Sequence, residues 1–308
     1  MATVFHADDF GITEEQARRI LALGDACGGT GAISSISIFA NSPAFEASAE
    51  AARPFVSAGA LRIGVHVNLV EGPAASPLHK RGRKGGLADT RGMLALDFVS
   101  LLKTSLSTLP ERRELYREVY DECRAQIALF CSAFPEERGR LRIDSHQHVH
   151  MIPLVYDAMM HAAASCGCTV AELRIPFEAA LPHLGGTGGI GRLASANGVK
   201  DAMLGLLSLR ARRHVPQGCR VPAFCGVVLS GRMHEADARL IGRMEDIAAR
   251  RGRDLEVLLH PVSMRRADCL DPAKTAFADA CCAPGRDAEA AFAAAWRIDA
   301  SGRAKPRA

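Results

Sequence analysis

The chain has 308 residues, 48% of them hydrophobic and 23% charged, with a net charge of +4 and only three Tyr and one Trp. This is an ordinary globular composition with ample material for a core, and so modest a charge with so few aromatics gives no warrant for a nucleic-acid partner. No apolar run approaches the ~20 residues of a membrane span, and the opening MATVFHADDF meets charge before any signal-like apolar stretch, so a cytoplasmic location is expected.

Short apolar segments recur along the chain. They are TVF at 3–5, AISSISIFA at 32–40, LRIGVHVNL at 61–69, LRID at 141–144, VAELRI at 170–175, FCGVVLS at 224–230 and LEVLLH at 255–260. Helical patterns separate them, at 13–26, 43–52, 111–134, 153–165, 197–213 and 234–251. In the third, Leu115, Val119, Cys123, Ile127 and Phe130 lie on or near one face. Thr13 with Gln16 makes a candidate capping box for the first. Alternation of strand and helix predicts an α/β fold with a parallel sheet of about seven strands, more barrel-like than divided into two domains. Residues 1–299 are expected to form this single domain and 300–308 a disordered tail. The ten Cys contain no C-x-x-C pair and read as free thiols in a reducing compartment.

Polar residues gather at the C-terminal ends of the predicted strands. Asp8 and Asp9 follow TVF, His66 ends LRIGVH, Asp144 and His146 follow LRI, Arg174 closes VAELR and His260 ends LEVLLH. Parallel α/β architectures build active sites on that rim. Two stretches read as loops: the basic, Gly-rich HKRGRKGGLADTRG at 79–92 and LGGTGGIGR at 184–192. The latter holds a formal G-x-G-x-x-G at Gly186, Gly188 and Gly191, but no strand precedes it, so a dinucleotide site is not expected. The basic loop fits either an anionic group on the substrate or a solvated charge run.

IDSHQHVHMIP at 143–153 places His146, His148 and His150 at every second position, on one side if the segment is extended. Clustered imidazoles beside an Asp suit a metal site, and one Asp with two His would leave an ion open positions for water and substrate. Adjacent carboxylates repel unless a cation offsets them, so one member of the Asp8–Asp9 pair would bind the ion and its neighbour act as base. A second ligand or a helix cap are the other readings of Asp8.

Together H-A-D-D-F-G, G-V-H-V-N-L-V-E-G, R-I-D-S-H-Q-H-V-H-M-I-P, L-R-I-P and L-L-H-P, in this order over residues 2–292, resemble the YdjC-like carbohydrate deacetylases, a family that includes chitooligosaccharide deacetylases and hopanoid-associated relatives. The resemblance implies a distorted, TIM-like (β/α) barrel that removes an N-acetyl group from an amino sugar or small oligosaccharide with a divalent metal. Magnesium is the ion it implies, with zinc the alternative on ligand softness. It also implies Asp9, His66 and His146 as metal ligands, Asp8 as general base and His260 as general acid. Arg174 would steady the base carboxylate and, with His148, belong to the substrate side. His148 and His150 are not separable, and Asn68 and Glu71 shape the loop after His66. His6, where many relatives carry Asn, and Arg232, where some carry His, are expected near the substrate. Hydrolysis of another bond (phosphoester or cyclic amide) and a non-catalytic carbohydrate-binding protein are the competing readings. A homodimer is expected only because two-fold assemblies are common.

Overall fold

The computed structural model describes residues 1–79, 86–184 and 189–307. Seven strands, β1 (Thr3–Phe10), β2 (Ile33–Ile38), β3 (Arg62–Val67), β4 (Leu141–Ser145), β5 (Val170–Leu173), β6 (Ala223–Cys225) and β7 (Leu255–Leu259), form one parallel sheet ordered β5-β4-β3-β2-β1-β7-β6. Eleven helices are described: α1 (Glu14–Leu21), α2 (Phe45–Ser57), α3 (Phe98–Ser105), α4 (Leu109–Ala133), α5 (Pro153–Ser165), α6 (Ala180–His183), α7 (Gly189–Leu193), α8 (Ala196–Arg213), α9 (Ala238–Arg250), α10 (Thr275–Cys282) and α11 (Pro284–Ala294). The sheet curls without closing as a regular barrel: among the described residues its edge strands β5 and β6 do not pair with each other, and isolated parallel bridges join Glu172 of β5 to Arg220 and Phe224 of β6 to Glu178.

β1 and β7 are buried at every position, as a parallel sheet covered on both faces requires. The periodicity read in 111–134 is realised in α4, whose Leu115, Val119, Cys123, Ile127 and Phe130 are all buried. The Thr13 hydroxyl accepts from the Gln16 N–H at 3.0 Å and caps α1.

The structure corrects several boundaries. β1 runs on through Asp8 and Asp9. FCGVVLS is strand only as far as Cys225, because the peptide N–H groups of Gly226, Val227 and Val228 turn onto the Glu178 carboxylate instead of a neighbouring strand. Residues 146–151 are neither extended nor α-helical but a 3₁₀ segment kinked at Gln147 and His148, both left-handed. The tail expected to be disordered is ordered: β8 (Trp296–Ile298) and β9 (Ala304–Pro306) pair antiparallel, Thr3 donates to the Gly302 carbonyl at 2.8 Å, and Arg303 reaches Glu245 at 2.9 Å. Those few backbone and ionic contacts suffice to hold a polar terminus whose composition signals nothing. Of the two expected loops, residues 80–85 and 185–188, with Gly186 and Gly188, lie outside the described residues, and Gly189–Leu193 is the helix α7. Helices α3, α10 and α11 had no counterpart in the sequence reading, and α10 and α11 supply one wall of the site.

Candidate active site

The strand ends converge as the rim argument requires. Asp8 and Asp9 come from β1, His66 from β3, His146 from the turn after β4, and His260 follows β7. All but His260 are buried. They border a groove of about 380 Å³ whose lining includes Asp8, Asp9, His146, His148, Lys200 and His260.

Asp9 adopts φ 57°, an uncommon conformation for a non-glycine residue. Hydrogen bonds from Gln16 and Arg286 hold it there. The Gln16 side chain donates to the Asp9 carbonyl at 2.7 Å and accepts from the Gly11 and Ile12 N–H groups, so the first helix clamps the end of the first strand. Gly11 follows at φ 87°, where a side chain would press on Ser48 and Ile38. On the far side Arg286, in the first turn of α11, donates to Asp9 Oδ2 at 2.6 Å.

This leaves Asp9 Oδ1 without a hydrogen bond, 3.0 Å from His146 Nδ1 and 3.6 Å from His66 Nε2. His66 Nε2 and His146 Nε2 are likewise buried and unpartnered. Buried polar atoms in this state are rare and call for an explanation. One ligand atom from each of Asp9, His66 and His146 lies within 4.8 Å of the others, and a cation satisfies all three residues at once. The chemistry of the set, one carboxylate and two imidazoles, fits a catalytic divalent metal with open positions. Asp144 supports it: its Oδ1 pairs with His66 Nδ1 at 2.5 Å, which directs Nε2 of the same ring into the cluster. The rings of Phe39 and Phe277 stand edge-on to the imidazoles, at 5.0 Å from His66 and 4.5 Å from His146, and keep water from their sides.

Asp8 borders the same groove and lies 3.9 Å from His66 Nε2. Arg174 grips both its oxygens at 2.8 Å, and also reaches Asp144 at 2.9 Å and Glu256 at 2.6 Å. Burial by itself would raise the Asp8 pKa, but Arg174 and His66 outweigh it and hold the carboxyl well below its ordinary range. For Asp9 burial is overcome in the same way, by His146 and Arg286. Arg174 therefore sits behind Asp8 with its donors on carboxylates and is not among the residues that line the groove, whereas the sequence reading places it on the substrate side. A second cluster, His6, Asp8 and Asp144, lies at that rear face. His6 bonds Ser35 at 2.8 Å and Ser37 at 3.0 Å, 3.2 Å from Asp8 Oδ1, and it too is not part of the groove lining. Arg232 points to Glu235 at 3.5 Å and is not part of the lining, though Ser230 and Gly231 are.

The two remaining imidazoles are now separable. His150 is structural: its Nδ1 meets Ser145 Oγ at 2.5 Å and its Nε2 the Arg174 carbonyl at 2.9 Å, and burial pushes it down to about 4. His148 opens on the groove with Nδ1 unpartnered. Asn68 shapes the loop after His66, its Oδ1 accepting from the Val70 and Glu71 N–H groups. Burial pushes His260 down to about 4, against the pull of Asp9 and Asp8, and its backbone N–H is anchored on Glu289 Oε2 at 2.6 Å.

Arg286 and Glu289 escaped the sequence reading. One signal existed for Arg286, since a cation in the first turn of a helix opposes the helix dipole and so asks for an anion nearby. Glu289 has no local signature.

The sequence model of the YdjC-like protein family matches residues 3–294. This chain belongs to that family. The YdjC-like chain is 29% identical over 271 residues to a mouse protein named carbohydrate deacetylase, a match covering 84% of this chain and 77% of the relative. It is 32% identical over 181 residues to the human carbohydrate deacetylase (58% and 49%) and 30% identical over 164 residues to a chitooligosaccharide deacetylase of Enterobacter sp. strain 638 (53% and 56%). Its match thus spans about half the length of the latter two. Among solved structures, a candidate cellobiose-phosphate cleavage protein from Enterococcus faecalis V583 aligns with 97% of the YdjC-like chain and 91% of its own, at a TM-score of 0.58 and 20% identity. That likeness supports the α/β fold alone.

Proposed function

We propose that this protein is a carbohydrate deacetylase that releases acetate from an N-acetylated amino sugar or small oligosaccharide. The observation that carries the reading is the set of unpartnered atoms on Asp9, His66 and His146, of which Asp9 and His146 line a groove that the arginine-held Asp8 and His260 also border. Family membership and the names of the relatives support the same chemistry.

Asp9, His66 and His146 would hold a divalent cation, which supplies Lewis acidity toward the acetamide carbonyl and toward water. The donor set suits zinc on softness, and magnesium is the ion that the family resemblance implied. Asp8 stays ionised under the hold of Arg174 and accepts a proton from the attacking water, whose oxygen bonds to the acetyl carbon. As the C–N bond breaks, the sugar nitrogen needs a proton, and His260 delivers it. His260 is neutral near pH 7, so it first takes up the proton that Asp8 removed from water and then passes it to the nitrogen as the C–N bond breaks, which returns both groups to their starting states. His148 contacts the sugar. A reducing cytoplasm is the compartment we assign, in keeping with ten free thiols.

The test is acetate release from a panel running from N-acetylglucosamine to diacetylchitobiose, with Mg²⁺, with Zn²⁺ and after chelation. Activity lost on chelation and reduced about 10²- to 10⁴-fold in Asp8→Asn, with metal still bound, is the expected result. A folded, metal-loaded protein that releases no acetate from any member would overturn the reading.

A further inference from the structure

We propose that the outward face of α8, with α6 and α7 beside it, docks on the surface of an anionic lipid bilayer. Among the described residues, eight of the fourteen exposed large apolar side chains fall between 177 and 209. Such crowding differs from the scattered apolar exposure of an ordinary surface and marks an interaction site. On α8 the exposed residues follow helical spacing: Val199, Met203 and Leu206 occupy i, i+4 and i+7, with Val199 63% and Leu206 71% exposed. The opposite face, with Leu204, Ser208 and Ala211, is already buried against the barrel. A helix apolar on both sides lacks a partner for the outer one. Leu181 on α6 and Ile190 on α7 extend the stripe, at 74% and 79% exposure.

Charge selects the partner. The segment 177–213 carries Arg192, Lys200, Arg210, Arg212 and Arg213, and its two acids, Glu178 and Asp201, are both buried. Arg210 is paired with Asp157 at 2.9 Å, while Arg192 and Arg213 form no ion pair among the described residues. Arg212 turns inward, donating to Ser208 at 2.9 Å and lying over the Phe177 ring at 4.8 Å, so the cations left for a headgroup layer are Arg192 near one end of α8 and Arg213 at the other. An apolar stripe with cations at both ends and no exposed acid is the pattern of a segment lying in a headgroup layer. A second copy of the chain fits it less well, because a two-fold contact would bring the same cations with no acid to meet them. Docking is peripheral, as no helix among the described residues is long and apolar enough to cross a membrane. It would set the groove beside the bilayer, since Lys200 of the same helix lines it and Asn197 ties α8 to the Ser230 carbonyl at 3.1 Å.

The experiment is co-sedimentation of the full chain with vesicles of phosphatidylcholine alone and of phosphatidylcholine with phosphatidylglycerol, at low and high salt, alongside Leu206→Glu and Val199→Glu. Both positions are exposed, so thermal unfolding should be unchanged. We expect binding to the anionic vesicles only, weakened by salt and by about tenfold or more in either variant. A chain left in the supernatant with both vesicles overturns the proposal, as does vesicle binding that neither substitution alters. A dimer in sedimentation velocity that Leu206→Glu dissociates, with no vesicle binding, would assign the face to a second copy instead. The readout is independent of acetate release, so failure of the deacetylase reading would leave it standing.

Discussion

Arg286 and Asp9 lie 277 positions apart in the chain and meet at 2.6 Å. The contact divides the carboxylate: Oδ2 is taken by the guanidinium and Oδ1 is left free toward His66 and His146. A bare carboxylate in this apolar surrounding would be costly to keep charged. Arg286 is thus the permanent counter-charge of Asp9, and by taking Oδ2 it leaves Oδ1 to the two imidazoles.

Replacing Arg286 by Met leaves Asp9 a buried, uncompensated anion. Metal-free stability should fall by about 3–5 kcal/mol, measured by urea unfolding after chelation. Added Mg²⁺ or Zn²⁺ then replaces the lost charge, so the metal-induced rise in Tm should exceed that of the unaltered protein. Equal rises would show that Arg286 does not neutralise Asp9.

Glu289 acts on His260 through the backbone, accepting from its N–H and, with Oε1, from the Met233 N–H at 3.1 Å. Glu289→Ala should lower kcat about 10- to 100-fold by loosening the imidazole, with KM nearly unchanged. Glu289→Gln, which keeps one acceptor, should recover part of the loss. A rise in KM alone would place Glu289 in substrate binding.

Metal binding should release a proton. Burial would lower His66, but Asp8 and Asp144 outweigh it and carry the ring up to about 10, so it is an imidazolium at neutral pH. A metal needs Nε2 deprotonated, hence about one proton leaves per ion bound and affinity rises with pH until the ring titrates. Calorimetry in buffers of different ionisation enthalpy counts that proton. No dependence on buffer would mean His66 is not a ligand.

Asp201 sets a stability trend. Burial first, then Glu178, raise its carboxyl to about 7 from an ordinary 3.8. Between those values the folded chain binds more protons than the unfolded one, so this residue's contribution to stability declines as pH rises from about 4 to about 7. Asp201→Asn retains an acceptor for the Glu178 N–H and should flatten that decline. Urea midpoints at pH 5 and pH 8 measure it, and an unchanged difference between them would dismiss the assignment.

Strand–helix alternation, the apolar face of α4 and the Thr13 cap could be read from the chain itself, because burial of one face imprints a period on neighbouring residues. The same holds for the rim: Asp8, Asp9, His66, His146 and His260 stand out as polar residues where strands end. What the sequence by itself determined was therefore which polar residues gather at the strand ends and on what kind of scaffold. Tertiary structure alone decided how they divide the work. Both carboxylates approach His66, but Asp8 is held by Arg174 while Asp9, on a left-handed residue clamped by Gln16, is held by Arg286 and keeps one oxygen toward the imidazoles. His148 opens on the groove while His150 is tied to Ser145, because the kink at 147–148 breaks the alternation their spacing implied. Arg286 and Glu289 joined the site from positions 277 and 29 residues from the groups they hold. Contacts of that range depend on sheet order and helix placement, and no local periodicity records them.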